Sequence, residues 1–218
     1  MTNLLRVFPA LFSLVLLLML GCAPRQGTDV ETRSSASTAV KEPATVAPQP
    51  SASGKAALET AVLAGGCFWG MEDILRKIPG VVETEVGYAG GRTKSPTYED
   101  VKTGSTGHAE SVRVVFDPAK ISYADLLENW FFRMHDPTTV DQQGNDVGTQ
   151  YRSAIFVTSP EQRKVAEEVK ARVDKSGKWK SPVVTQIVEA GPFTPAEAYH
   201  QDYLVNNPGG YTCHYMRD

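Results

Sequence analysis

Cysteine is scarce in this chain, with Cys22, Cys67 and Cys213 the only three in 218 residues. Cys67 stands in Gly66-Cys67-Phe68-Trp69-Gly70, between two glycines and beside two large aromatics. It falls where a short apolar segment gives way to a helical pattern. Unpaired backbone N–H groups and the positive dipole end at a helix start favour a thiolate. The flanking glycines allow a backbone or a substrate to approach closely. Phe68 and Trp69 read either as core or as an apolar pocket beside a nucleophile. A second group has an unusual place. In the segment from His108 to Phe116, residues 110, 112, 114 and 116 share one face of a strand, and they are Glu, Val, Val and Phe. A carboxyl on an apolar face is either at a frayed strand end or functional. Desolvation raises its pKa and keeps it protonated near neutral pH, which makes Glu110 a general acid to set beside a thiol.

If Cys22 is used elsewhere, Cys67 and Cys213 remain, 146 residues apart. A structural bridge is the plain alternative for an exported chain. Zinc is not expected, because neither cysteine belongs to a close ligand pair, and His214 beside Cys213 does not make one. Gly65-Gly66 is not a phosphate loop, since no Gly-Lys-Ser/Thr follows. No organic cofactor is called for. With 22 basic and 25 acidic side chains the formal net charge is −3, which leaves no electrostatic footprint for nucleic acid.

The elements that must position these groups alternate along the chain. Thr60 to Ala64 reads as a short buried strand. Met71 to Ile78 reads as a helix stopped by Pro79-Gly80, and Val81 to Tyr88 as a strand. His108 to Phe116 is a strand closed by Asp117-Pro118. Three more helices carry start signals: Ser122 with Asp125, Ser159-Pro160, and Thr194-Pro195 with Glu197 running through Tyr203. Strands at about 151–158 and 183–190 separate them. This β-α-β-β-α-β-α-β-α order predicts an α/β two-layer sandwich, an α+β fold with a ferredoxin-like core and a mixed sheet. The order of strands within the sheet is not set by it.

The first 56 residues differ in character. Arg6 is the only charge before Arg25, and Val7 to Leu20 is apolar except for Pro9 and Ser13. That run is short for a membrane span of about 20 residues and fits the apolar region of a signal peptide, about 7–15 residues. It ends in Met19-Leu20-Gly21-Cys22, which resembles the lipobox of bacterial lipoproteins and implies lipidation of Cys22. An ordinary signal peptide cut near Ala23 is the alternative. Loss of residues 1–21 removes Arg6 alone and leaves a net charge of −4. Residues 22–56 are rich in Ala, Ser, Thr and Pro, too poor in apolar groups to offset their ordering entropy. They read as a disordered tether whose ends average roughly 30–35 Å apart. The expected organisation is a signal peptide over 1–21, a lipid-anchored tether over 22–56 and a catalytic domain over 57–218, exported and membrane-anchored, facing the periplasm or cell envelope.

Taken together, GCFWG, Gly107-His108-Ala109-Glu110, Gly148-Thr149-Gln150-Tyr151-Arg152-Ser153 and His200-Gln201-Asp202-Tyr203-Leu204 with Asn207-Pro208 resemble the A-type peptide-methionine sulfoxide reductases. The likeness runs over about 58–218 with the motifs in family order. It implies that Cys67 attacks the sulfoxide sulfur while Glu110, assisted by Tyr98 and Tyr151, protonates the oxygen. Phe68 and Trp69 would hold the substrate methyl group, with Asp146, His200 and Tyr203 as polar positions around the site. It implies further that sulfenic acid on Cys67 condenses with Cys213, and that a thioredoxin-like protein reduces the Cys67–Cys213 disulfide. Substrates would be oxidised proteins or peptides, and free methionine sulfoxide, in the S epimer. Many family members carry two cysteines near the C-terminus, whereas Tyr211-Thr212-Cys213-His214 holds one. A cysteine hydrolase and a non-enzymatic lipoprotein stapled by Cys67–Cys213 are the rival readings.

Overall fold

The computed structural model describes residues 57–218, so the expectations for the signal peptide, Cys22 and the tether lie outside the described residues. Strands β1 (Glu59–Gly65), β2 (Val81–Ala89), β3 (Ala109–Phe116), β6 (Ser153–Val157), β7 (Gln186–Glu189) and β8 (Thr194–Pro195) form one sheet in the order β7-β6-β1-β3-β2-β8. The inner four, β6-β1-β3-β2, are antiparallel neighbours, the ferredoxin-like arrangement expected. At the edges β7 joins β6 in parallel and β8 joins β2 antiparallel, which makes the sheet mixed. A separate small hairpin pairs β4 (Gln142–Gln143) with β5 (Asp146–Val147).

Helices α1 (Phe68–Leu75) and α5 (Pro160–Lys175) pack on one face of the sheet. Beside them lies a continuous helix, with α3 (Tyr123–Asp125) running through a π-helical stretch at Leu126–Phe131 into α4 (Phe132–Met134). Short helices α2 (Tyr98–Val101) and α6 (Tyr203–Asn206) complete the set. Leu63 of β1, Val112, Val114 and Phe116 of β3 and Ile155 of β6 bury against Met71, Leu75, Leu127 and Val169 of the helices. Each such side chain contributes about 1.5–3 kcal/mol by leaving water. The opposite face holds only a small cluster around Val62, Ala154 and Phe156.

Local signals explain most boundaries. Ser159 accepts from the Gln162 N–H at 3.2 Å and Pro160 opens α5, as capping rules require. Ser122 and Asp125 bond reciprocally at the start of α3. The helix expected over Met71–Ile78 begins three residues earlier, at Phe68, with Cys67 as its N-cap. The strand expected over 183–190 is confined to β7, and the strand at 151–158 to β6, with a single 3₁₀ turn at Thr149–Tyr151 before it.

One element departs from expectation. No helix runs from Thr194 to Tyr203. Thr194 and Pro195 instead pair with Tyr88 and Gly87 at the sheet edge, a 3₁₀ turn covers Ala198–His200, and Asp202 adopts a left-handed conformation before α6. The cause is competition from distant partners. Glu197, which the helix reading used as a cap, accepts instead from the Tyr98 N–H and the Tyr88 hydroxyl, each at 2.9 Å. The Gln201 amide accepts from the Val86 N–H at 2.9 Å and donates to the Val86 and Ala196 carbonyls at 2.9 and 3.0 Å. It serves as a strand surrogate where β8 ends. The Asp202 N–H is taken by Glu72 of α1 at 2.9 Å.

Removing that surrogate orphans backbone groups of β2. Gln201→Ala is therefore expected to destabilise the fold by about 1–3 kcal/mol. The midpoint of urea unfolding should fall with an unchanged slope.

Candidate active site

Cys67 ends the turn after β1 and Glu110 is the second residue of β3, so the chemistry sits at one end of the two central strands. Glu110 shares the helix-covered face with Val112, Val114 and Phe116 and is 2% exposed, as strand alternation predicts. Its Oε2 accepts the Phe68 N–H at 3.1 Å. The first free amide of α1 is thus satisfied by the acid and not by the cysteine sulfur. Burial, with Asp146 adding to it, pushes Glu110 up to about 8 against the lowering effect of that bond.

Cys67, Phe68, Trp69, Tyr98, Glu110, Asp146, Tyr151 and Tyr211 line a cavity of about 110 Å³. The sequence brings the first seven of these together from α1, α2, β3, β5 and the turn before β6. Tyr211 was not singled out by sequence reasoning, and its only signal was proximity to Cys213. It lies 45% exposed at the mouth, where burial of its hydroxyl and the nearby Asp146 push its pKa up. Burial first, then the Glu110 carboxyl, pushes up Tyr98 and Tyr151 as well, so both hydroxyls keep their protons.

Cys67 differs from expectation. Its thiol is pushed up, by burial first and then by Glu110, and the Trp69 N–H does not offset this. The helix N-terminus does not offset this, because Glu110 takes the Phe68 N–H and the thiol is buried. Cys213 lies close by: the Cys67 N–H faces its sulfur, and its thiol bonds to Asp146 Oδ2 at 3.4 Å. Burial and that carboxylate hold Cys213 up at about 11. Both cysteines are free thiols.

His200 and Tyr203 do not line the cavity. They back the Trp69 wall: Trp69 Nε1–H donates to His200 Nδ1 at 3.1 Å, and the Tyr203 ring stacks on Trp69 at 3.8 Å and 11°. The His200 ring also lies 4.5 Å from Tyr98 and 5.1 Å from Phe68. Burial lowers its pKa, and because Nδ1 accepts from Trp69 the ring hydrogen sits on Nε2. Glu197, which the sequence reading took only as a helix start signal, fixes the start of α2 and so the cavity side of Tyr98.

Of the two approaches the motif glycines allowed, a backbone or a substrate, the structure shows the protein's own segments. A Cβ on Gly66 would lie 2.7 Å from Gln143 Cβ, and φ at Gly66 is +110°. A Cβ on Gly70 would collide with Thr212 Oγ1 and lie 2.7 Å from His214 Nδ1. They admit the 143 loop and the C-terminal segment, not the substrate.

A cavity that joins a thiol, a protonated carboxyl and three phenols, with a second thiol beside it, is equipped for proton-coupled redox chemistry at sulfur. Residues 59–218 match the family described as peptide methionine sulfoxide reductase. Peptide methionine sulfoxide reductase MsrA of Nocardia farcinica is 57% identical over 157 residues, covering 72% of this chain and 89% of that protein. The reduced form of Mxr1 from Saccharomyces cerevisiae aligns with a TM-score of 0.69 at 38% identity, over 74% of this chain and 93% of that one. The same yeast protein in complex with Trx2 aligns with a TM-score of 0.50 at 29% identity, over 74% and 91%. Identity of this level across the whole folded part, with the motif residues converging on one cavity, places the chain in the peptide methionine sulfoxide reductase family.

Proposed function

We propose that the chain reduces methionine S-sulfoxide, in proteins and as the free amino acid, through sulfenic acid on Cys67 and a Cys67–Cys213 disulfide. The observation that carries this reading is the gathering of Cys67, Glu110, Tyr98 and Tyr151 in one buried cavity. Its small volume admits the methyl sulfoxide end of a side chain, with Phe68 and Trp69 as apolar walls for the methyl. Tyr98, Tyr151 and the Glu110 carboxyl, all protonated, donate to the sulfoxide oxygen.

In the first step the Cys67 sulfur bonds to the sulfoxide sulfur while Glu110 passes its proton to the oxygen. The thiol proton returns to the Glu110 carboxylate, which faces Cys67. The sulfur–oxygen bond and the new sulfur–sulfur bond then both break as the hydroxyl passes to the Cys67 sulfur, which leaves sulfenic acid there and releases the thioether. The Cys213 sulfur next displaces that hydroxyl as water, which closes the disulfide. A thioredoxin-like dithiol restores both thiols. The yeast relative's complex with Trx2 supports such a reductant. With one cysteine near the C-terminus, the reductant must reach the Cys67–Cys213 bridge itself.

The cysteines are tested by substitution. Cys67→Ser should abolish methionine release, because a hydroxyl oxygen is harder and far less acidic than a thiol and does not attack sulfur. Cys213→Ser should release one methionine per enzyme and then stall. A hydrolase would be indifferent to Cys213, and normal thioredoxin-dependent cycling by that variant would refute the disulfide.

For Glu110 the test is pH-dependent. Below about 8 its carboxyl is protonated and can donate, and above that pH the proton is lost. Wild-type single-turnover methionine release should therefore decline above pH 8. Glu110→Gln keeps the shape and an N–H but transfers no proton, and should be slower by about 10²–10⁴-fold. The gap should be widest below pH 8 and narrow above it, with affinity little changed. A variant within a few-fold of wild type at all pH values would remove Glu110 from proton transfer.

We propose further that the domain is exported and held at a membrane by lipid on Cys22, with residues 22–56 as its tether. The apolar run that stops at Gly21-Cys22 supports this. Cys22→Ala should release the protein from membranes without changing its kinetics, and a mature wild-type N-terminus without lipid mass would refute the anchor.

A further inference from the structure

Residues 211–218 form no helix or strand, yet they carry the second thiol. What holds that thiol beside Cys67 is a set of side-chain to backbone bonds. Downstream, the Arg217 N–H and guanidinium donate to the Arg133 and Met134 carbonyls at 2.8 and 2.7 Å. Next to the thiol itself, His214 is buried and bonds through Nε2 to the Gly65 carbonyl at 2.8 Å. Gly65 closes β1, two residues before Cys67.

The tautomer follows from the partners. A carbonyl oxygen only accepts, so Nε2 carries the hydrogen and Nδ1 presents a lone pair. That lone pair lies 3.5 Å from the Cys213 sulfur. The ring sits between the two motif glycines, since a Cβ on Gly66 would come within 3.1 Å of His214 Cε1 and one on Gly70 within 2.7 Å of Nδ1. Thr212 Oγ1 accepts the His214 N–H at 3.0 Å and fixes the turn. The imidazole is therefore seated in the motif turn itself and touches both the end of the strand that leads to Cys67 and the thiol of Cys213.

We propose that His214 is the positioning residue for the second chemical step: it anchors the C-terminal segment to β1 and orients the Cys213 thiol for attack on oxidised Cys67. This rests on the disulfide reading given above. In that step the Cys213 sulfur bonds to the Cys67 sulfur, the sulfenic hydroxyl leaves as water with the Cys213 proton, and no outside oxidant is consumed. Burial lowers the His214 pKa to about 4, so the neutral ring and its lone pair persist at physiological pH. Asp146 offers the thiol an alternative acceptor at 3.4 Å but has no bond to β1 among those the structure contains for it, whereas His214 joins the two.

The test separates the two steps in the full-length protein, mixed with free methionine S-sulfoxide without reductant. Methionine release reads the first step. Trapping of sulfenic acid by a cyclic 1,3-dione and the loss of the second thiol read the closure. Wild type releasing methionine but keeping its Cys213 thiol would defeat the disulfide reading itself. With that control passed, His214→Phe should release methionine within a few-fold of wild type. Its closure should slow by about 10²-fold, the cost of a misplacement on the order of 1 Å, with sulfenic acid accumulating. His214→Gln retains an N–H for the Gly65 carbonyl and should recover part of the closure rate. Closure at the wild-type rate in His214→Phe would overturn the proposal. So would equal slowing of both steps, or no gain of His214→Gln over His214→Phe.

Discussion

The hydrogen bond from the Phe68 N–H to Glu110 Oε2, 3.1 Å long, joins the start of α1 to the strand beside it. It fixes the nucleophile relative to the acid, because Cys67 is the N-cap of the helix whose first amide Glu110 receives. Helix starts leave several N–H groups unsatisfied, and a buried carboxyl needs a donor to offset its desolvation. Each therefore supplies what the other lacks. Burial outweighs the bond in setting the proton affinity of Glu110, so one oxygen accepts from the helix while the other carries the proton. A side chain that could not ionise would keep the fold and lose the acid.

Around this bond the walls of the cavity come from segments far apart in the chain. Trp69 is held by His200 and Tyr203, more than 130 residues later. Tyr98 is held through its backbone by Glu197, which also receives Tyr88. The turn after β8 is kept open and non-helical by these demands, with Gln201 taking over the pairing of Val86. Here polar side chains replace secondary structure, and each one satisfies a backbone group that regular pairing leaves free.

Those long-range bonds mark the limit of what the sequence carries. Strand alternation is local, so Glu110 could be placed on the buried face from its neighbours alone. The caps of α3 and α5 are local too, and both stand as expected. The inner strand order follows from the β-α-β-β-α-β succession only once crossover geometry is added. By contrast, Thr194-Pro195-Ala196-Glu197 has all the marks of a helix start, and only distant partners divert it to an edge strand and a 3₁₀ turn. Tyr211 escaped notice because no periodicity governs a segment without secondary structure. The glycines beside Cys67 were correctly seen as room for something to approach. That it is His214 and Gln143 depends on contacts across 70 residues or more, which no local pattern encodes.

The charge state of the site is where local reasoning misled most. A cysteine at a helix start in isolation tends toward thiolate, but here the thiol, the carboxyl and the phenols are all pushed toward their protonated forms. On the proposed cycle this is the reactive state. Turning a sulfoxide into a thioether and water consumes two electrons and two protons, and the Cys67 and Cys213 thiols contain both pairs. Glu110 need only relay a proton from sulfur to oxygen and recover it. A pre-formed thiolate would have surrendered one of those protons to solvent and placed a buried charge beside the Glu110 carboxyl. The neutral site avoids that cost, and it suits a substrate group that is itself uncharged and strongly dipolar. Ionisation of Cys67 is thereby confined to the moment when the sulfoxide oxygen is ready to take a proton.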